Sequence, residues 1–136
     1  MPESGHARGL IDTSVIIAAE AIDRDALPTQ LLVSTITLAE LAVGPHAAGD
    51  EMERARRQEQ LQRAEATFDP LPVDIAVARA YGRVYAAVSA TGRKARGRRA
   101  LDLLIAATAL AAELPLYTRN PVDFAGLDGL VEIVAI

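Results

Sequence analysis

The sequence predicts a three-layer α/β/α sandwich around a mainly parallel, five-stranded sheet. Short apolar segments rich in Leu, Ile and Val alternate with longer segments whose apolar residues recur at helical spacing. Strands that alternate with helices form parallel sheets covered by helices on both faces. The 136 residues suffice for one domain, and 51% hydrophobic with 24% charged residues is typical of a globular protein. We therefore expect one domain over residues 9–136, preceded by a disordered or frayed leader over residues 1–8.

The first half of the chain is predicted to hold two strands and three helices. They are a strand over residues 9–12, a helix over 14–21, a strand over 31–36, a helix over 37–43 and a helix over 50–67. The many β-branched side chains of the second strand favour extended structure. Gly44 and Pro45 stop the helix before them. The helix over 50–67 has few large apolar residues, so we expect it on the outside of the domain.

The second half is predicted to supply the remaining strands and the most apolar helix. Its elements are a short strand or extended connection over residues 68–72, helices over 73–88 and 101–112, a strand over 116–118, a turn of helix over 120–124 and a last strand over 130–136. Val77, Val84 and Val88 recur at helical spacing, which indicates one buried helix face. The helix over 101–112 is apolar nearly all round, which is typical of a buried helix.

Composition excludes several classes of protein. The chain has no Cys, so it has no disulfides, no thiolate zinc site and no cysteine nucleophile. No apolar run reaches the roughly 18 residues that a membrane span needs. The first residues have no apolar stretch typical of a signal peptide. We therefore expect a cytoplasmic protein that does not enter the membrane.

Four acidic residues occur where a parallel sheet would bring them to one edge. They are Asp12, Glu40, Asp102 and Asp123, each just past a predicted strand or near a helix start. Ligands of such sheets bind at the carboxyl ends of the strands. Carboxylates that lie close together raise one another's pKa, and a hard cation such as Mg²⁺ or Mn²⁺ relieves that repulsion. The pattern predicts a metal-dependent enzyme that acts on phosphate esters.

Each acid also has a structural explanation. Asp12 suits a helix N-cap, and Glu40 stands three residues after Thr37, which is the spacing of a capping box. Asp102 would be favoured by the dipole of the helix that it opens, and Asp123 follows an Asn-Pro pair typical of a helix start. Capping and metal binding do not exclude each other, because both occur at helix starts.

A basic segment precedes Asp102. It contains Arg93, Lys94, Arg96, Arg98 and Arg99. The net charge of −4 argues weakly against attraction of nucleic acid by the protein as a whole. An exposed loop would explain the segment equally well, but its position beside Asp102 favours contact with phosphates.

Four segments, in this order, resemble the motifs of PIN-domain ribonucleases. They are LIDTSVII at residues 10–17, STITLAEL at 34–41, DLLIAATA at 102–109 and TRNPVDF at 118–124. The subgroup with the greatest resemblance is the VapC-like toxins of bacterial toxin–antitoxin pairs, and order and spacing match from Leu10 to Ile136. The leader is longer than is usual in that subgroup, and the basic segment is unusually basic.

The resemblance implies a homodimeric endoribonuclease that depends on Mg²⁺ or Mn²⁺ and cuts RNA, with transfer or ribosomal RNA as the expected substrate. It implies a small antitoxin whose C-terminal segment occupies the active-site groove. On this interpretation Asp12 and Asp102 bind the metal, Asp123 binds it directly or through water, and Glu40 holds a second ion or orients the attacking water. Hydrogen bonds that orient the carboxylates would come from Thr13, Ser14, Thr118 and Asn120.

Other functions fit the residues less well. A phosphatase or receiver-type domain that uses Asp12 usually has a second aspartate two residues later, where this chain has Ser14. A receiver also needs a late lysine, and none follows Lys94. A glycosidase with two carboxylates does not explain the basic segment. A non-catalytic RNA- or partner-binding module of the same fold stays open, although all four acids are present.

Overall fold

A four-stranded parallel sheet lies at the centre of the protein. The computed structural model describes residues 6–136, apart from the side chain of Arg98. Its strands are β1 (Arg8–Ile11), β2 (Gln30–Leu32), β3 (Leu116–Thr118) and β4 (Ile133–Ala135), in the spatial order β2-β1-β3-β4. Every pairing is parallel. The predicted α/β architecture with a parallel sheet is confirmed.

Helices cover both faces of this sheet. They are α1 (Thr13–Ile17), α2 (Thr35–Val43), α3 (Glu51–Thr67), α4 (Ile75–Ala90) and α5 (Arg98–Ala112), with short 3₁₀ segments at Ala19–Ala21, Arg24–Ala26, Gly44–Ala47 and Pro121–Phe124. Successive strand residues point to opposite faces. Leu10 and Leu116 accordingly join the core formed with α4 and α5, whereas Ile11 and Tyr117 join a second core with α1.

The sheet has four strands within residues 6–136, so the prediction of five was wrong. The segment predicted as a strand or connection over residues 68–72 makes one isolated bridge, in which Leu71 pairs with Ser34. Leu71 donates its N–H to Val33 O at 2.9 Å and accepts from Thr35 N at 3.0 Å. The pairing does not continue past this bridge, because Ser34 caps α2 and the partner segment becomes helical at Thr35.

The second predicted strand is shorter than expected because a helix starts inside it. The side-chain oxygen of Ser34 accepts a hydrogen bond from Ile36 N at 3.0 Å, which makes Ser34 the N-cap of α2. The helix therefore begins at Thr35, two residues before its predicted start. Local capping chemistry prevails here over the strand preference of β-branched residues.

Other boundaries also differ from the prediction. Part of the predicted leader is paired, because β1 begins at Arg8 and Ala7 O accepts a hydrogen bond from Gln30 N at 2.8 Å. Residues 1–5 of the leader lie outside the described residues. Helix α5 begins at Arg98, three residues before its predicted start, so part of the basic segment is helical.

Gly9 allows the second core to form. A Cβ atom at this position would lie 2.6 Å from Cε1 of Tyr117 and 2.9 Å from Cγ of Pro28. The buried tyrosine ring thus packs directly on the backbone of β1.

No helix within residues 6–136 is both long enough and apolar enough to cross a membrane.

Replacement of Glu113 by glycine is expected to stabilise the protein. Glu113 follows α5 in the left-handed conformation, with φ 56° and ψ 46°. Leu114 N donates to Ala109 O at 2.9 Å, which closes the end of the helix. A side chain in this conformation costs about 1 kcal/mol, and glycine avoids the cost. Glu113→Gly is therefore expected to raise the free energy of unfolding by about 1 kcal/mol in urea titrations. Glu113→Ala is the control, and a glycine variant no more stable than the alanine variant would contradict the account.

Candidate active site

The carboxyl edge of the sheet places Asp12 at the end of β1, where it caps α1. Its carboxylate is buried, and both of its oxygens accept hydrogen bonds. Ser14 Oγ donates to Oδ1 at 2.5 Å, and Thr118 Oγ1 donates to Oδ2 at 2.6 Å. Val15 N also donates to Oδ1, at 3.3 Å, as expected for an N-cap. Burial raises the pKa of Asp12, and these hydrogen bonds oppose the rise because they favour the charged form.

The same two hydroxyl groups join the ends of β1 and β3. Ser14 Oγ accepts a hydrogen bond from Arg119 N at 3.1 Å. Thr118 Oγ1 accepts one from Asn120 N at 2.9 Å. Asn120 thus takes part through its backbone, and its side chain does not cap the 3₁₀ turn that follows. The orientation of Asp12 is fixed from two strands at once.

Glu40 reaches the site from α2. Thr13 Oγ1 donates to Glu40 Oε1 at 2.5 Å and lies 3.2 Å from Thr37 Oγ1. Because the helix starts at Thr35 with Ser34 as its cap, Thr37 lies within the helix and Glu40 cannot close a capping box on it. The structural explanation offered above for Glu40 is therefore wrong, and the side chain is held at the site by Thr13.

Asp102 interacts electrostatically with the other three acids. It lies in α5 after the first turn and is partly buried, so it does not open the helix as predicted. Its pKa is raised to about 6, first by burial and then by the negative charges of Asp123, Glu40 and Asp12. The positive charge of Arg99 acts in the opposite direction. The fold therefore places Asp102 within electrostatic reach of each of the other three carboxylates.

Asp123 lies in the 3₁₀ turn Pro121–Phe124, directly after β3. Arg99 Nη1 donates to the backbone O of Asp123 at 2.7 Å and lies 4.0 Å from its Oδ1. Arg99 was expected to contact RNA phosphates, but in the structure it is directed towards the acidic cluster.

The other members of the basic segment occupy different environments. Lys94 and Arg96 are exposed in the loop between α4 and α5, and Arg93 is half-buried there. Arg98 begins α5, and its side chain lies outside the described part of the structure. The exposed loop thus carries positive charge close in sequence to α5 and Asp102.

The donor set suits a hydrated divalent cation. Among residues 6–136, no three Asp, Glu or His side chains are grouped so as to hold a metal ion by themselves. Mg²⁺ usually keeps several of its waters and binds one or two protein carboxylates, so it does not require a closed cage of side chains. A bound cation would offset the repulsion that the negative charges of Asp123, Glu40 and Asp12 exert on ionised Asp102.

A cavity of about 660 Å³ opens beside Glu40. Thr13 and Glu40 lie in its wall, together with apolar side chains of α1 and of the neighbouring strands, among them Ile11, Val15, Ile16, Leu27 and Leu31. Sequence reasoning missed this cavity, because its walls come from segments far apart in the chain.

Charged side chains of α3 form another wall of this cavity. Glu53 pairs with Arg56 at 2.7 Å and with Arg57 at 3.1 Å, and all three residues line the cavity. This helix was expected on the outside of the domain, and its sequence contained no signal for a groove.

Comparison with known proteins identifies relatives along most of the chain. Residues 9–130 match the profile of the PIN domain. The chain is 39% identical over 135 residues to Ribonuclease VapC5 of Mycobacterium tuberculosis, with 96% of each chain covered. It is 41% identical over 110 residues to Ribonuclease VapC8 of the same species, with 80% of this chain and 96% of that relative covered.

Solved structures agree with these matches. A crystal structure of VapBC-5 from Mycobacterium tuberculosis, a member of the VapBC family of toxin–antitoxin systems, contains a similar chain. The two chains have a TM-score of 0.84 and 40% identity, and the match covers 96% of this chain and 99% of that one. The resemblance recognised in the four sequence motifs is confirmed.

Removal of the Asp102 carboxylate is expected to change the pH dependence of stability in the metal-free protein. Its pKa is raised from the ordinary 3.8 to about 6, so the folded state binds the proton more tightly than the unfolded chain does. The resulting stabilisation is complete below about pH 4 and is lost as the pH rises through about 6. Asp102→Asn is expected to exceed the wild type in stability by on the order of 2 kcal/mol at neutral pH, and to match it near pH 4.

Urea unfolding in EDTA at several pH values measures this difference. The control is Asp69→Asn, a change of the same type at an exposed position. The account fails if Asp102→Asn and the wild type lose stability in parallel between pH 4 and pH 7.

Proposed function

The chain belongs to the PIN-domain family and to its VapC ribonucleases, and from this premise we propose that it is the toxin of a toxin–antitoxin pair. Its activity is hydrolysis of phosphodiester bonds in RNA, with Mg²⁺ or Mn²⁺ as cofactor. The observation that carries the proposal is the position of Asp102, where burial and the negative charges of Asp123, Glu40 and Asp12 raise its pKa to about 6. An acidic cluster of this kind suits a cation and a phosphate group together.

The acids have different roles in this proposal. Asp12 and Asp102 would hold the ion, with Asp123 as a further ligand or bound through a water. A divalent ion held by these residues would supply a water of lowered pKa and would neutralise charge on the phosphate oxygens. The hydroxyl groups of Ser14 and Thr118 hold the Asp12 carboxylate in one orientation and oppose the rise of its pKa that burial causes.

Glu40 is suited to orient the attacking water. Thr13 donates to its Oε1 at 2.5 Å, which fixes the side chain and leaves Oε2 to accept a proton from water. A role for Glu40 with a second ion is the alternative assignment. Thr13 acts through Glu40 and is a positioning residue in either case.

The RNA backbone would lie along the loop between α4 and α5. Exposed Lys94 and Arg96 there, with Arg93 beside them, would contact phosphates that flank the cleaved bond. Such contacts provide affinity without base specificity. Transfer or ribosomal RNA, both cytoplasmic, is the substrate class that we propose.

The cavity beside Glu40 is the proposed binding site for the C-terminal segment of an antitoxin. Its apolar side chains suit an amphipathic or extended peptide, and the charged wall of α3 would select the polar residues of that peptide. Because Thr13 and Glu40 line both the cavity and the acidic site, an occupant would exclude RNA.

We also propose a homodimer. Ile75 and Tyr85 of α4 are 71% and 46% exposed, and Val73 just before the helix is 40% exposed. These side chains face away from the core side of α4, which is formed by Val77, Val84 and Val88. An exposed apolar surface of this kind is suited to contact with a second subunit.

Replacement of single acids is expected to abolish cleavage without loss of the fold. Loss of a group that only hydrogen-bonds to a metal ligand lowers activity roughly 10- to 100-fold. Asp12→Asn and Asp102→Asn remove a ligand itself, so each should lower the rate of RNA cleavage in Mn²⁺ by more than that. The exposed Asp69→Asn variant should cleave at the wild-type rate. Full activity of either site variant, or undiminished cleavage by the wild type in EDTA, would refute the assignment. Binding of RNA without any cleavage would favour the non-catalytic module.

A charge introduced into the cavity is expected to weaken binding of the antitoxin and to leave RNA cleavage unchanged. Ile17 lines the cavity and is 62% exposed, so Ile17→Asp should fold normally. Its affinity for the antitoxin, which we expect to be encoded by a short upstream reading frame, should fall at least about tenfold because a carboxylate replaces an apolar contact. RNA cleavage by the free protein should not change.

The matched control is Met52→Asp on α3. Met52 is 83% exposed and is absent from the described lining of the cavity. Calorimetry of both variants with the purified antitoxin decides the result. Equal affinity of the two variants would place the antitoxin elsewhere on the protein.

A further inference from the structure

The first turn of α5 contains positive charge where the helix itself disfavours it. Gly97, with φ 73°, precedes the helix without a side-chain cap, and Arg98 and Arg99 follow. The amino end of a helix carries partial positive charge, so cations there are destabilised unless another partner compensates. We therefore expect the positive charge of Arg99 to be stabilised by a partner outside the helix.

The structure places that partner in the turn after β3. Arg99 Nη1 donates to the backbone O of Asp123 at 2.7 Å, and the same nitrogen lies 4.0 Å from Asp123 Oδ1. The arginine side chain is only 25% exposed, compared with 39% for that of Asp123. The guanidinium thus lies against the turn and is directed away from bulk solvent.

This hydrogen bond connects two segments that carry separate acids. Asp102 lies one helical turn after Arg99 in α5, whereas Asp123 lies in Pro121–Phe124. The last carbonyls of so short a 3₁₀ turn lack donors within the turn, and Arg99 supplies one. The contact fixes the Asp123 turn at a defined place relative to α5.

We propose that Arg99 is a positioning residue, which holds Asp123 against α5 so that Asp102 and Asp123 face one cation, and that it does not bind RNA phosphate. The proposal rests on the metal-dependent nuclease function proposed above. It separates Arg99 from the exposed Lys94 and Arg96, which were grouped with it on sequence grounds. A guanidinium suits this place because it donates to a carbonyl while its charge stays close to a carboxylate.

The test compares Arg99→Gln with Arg96→Gln, two identical changes three residues apart. Mn²⁺ binding to the RNA-free, partner-free protein is measured by calorimetry, and RNA cleavage is measured as kcat and KM at several salt concentrations. Arg99→Gln should weaken Mn²⁺ binding about 10-fold and lower kcat about 10- to 100-fold, with KM and its salt dependence close to wild type. Arg96→Gln should raise KM and reduce its salt dependence, with kcat and Mn²⁺ affinity unchanged.

Two results would overturn the proposal. One is an Arg99→Gln variant with raised KM, unchanged kcat and unchanged Mn²⁺ affinity, which would make Arg99 a phosphate contact. The other is wild-type behaviour in every measurement. If thermal melting shows that Arg99→Gln is unfolded, Arg99→Met, which keeps the apolar stem of the side chain, is measured in its place with the same criteria.

The two proposals can fail separately. A wild-type protein that binds Mn²⁺ but cleaves no RNA would refute the nuclease function. The comparison of Mn²⁺ affinity between Arg99→Gln and Arg96→Gln would still decide whether Arg99 positions the acids.

Discussion

The burial of Asp102 beside three other carboxylates is the constraint on which the candidate site depends. Asp102 shares the carboxyl edge of the sheet with Asp12, Glu40 and Asp123, and each of them makes its ionisation harder. Hydrogen bonds orient the neighbouring acids: Ser14 and Thr118 donate to Asp12, and Thr13 donates to Glu40. These donors come from segments that other structure already holds in place, so the acids are oriented before any cation binds.

The parallel α/β architecture could be predicted from the sequence because it depends on local pattern. The same pattern predicts that the four acids lie near one edge of the sheet. Alternating strands and helices determine the direction of the strands, and acids placed just after strands then meet. Even the strand over Leu116–Thr118 was predicted with its observed bounds. Short-range rules of this kind apply whatever the rest of the chain does.

What could not be predicted depends on partners distant in the chain. The segment expected as a fifth strand makes a single bridge from Leu71 to the distant Ser34, because the chain becomes helical directly after Ser34. Arg99 was grouped with its basic neighbours because its partner is the backbone O of Asp123, 24 residues away in the chain. Every residue has a backbone oxygen, so the amino-acid sequence does not show which one accepts this hydrogen bond. The cavity is assembled from α1, α2 and α3 together with the neighbouring strands, so no single segment indicates it.

The pKa of Asp102 tests most directly whether these acids share a cation. Carboxyl-carbon NMR titration of the metal-free protein and of the same sample with saturating Mg²⁺ measures its pKa in both states. The account predicts a pKa of about 6 without metal and a fall below the ordinary 3.8 when Mg²⁺ is bound. An ordinary pKa without metal, or a raised one that Mg²⁺ leaves unchanged, would show that these acids do not share a cation.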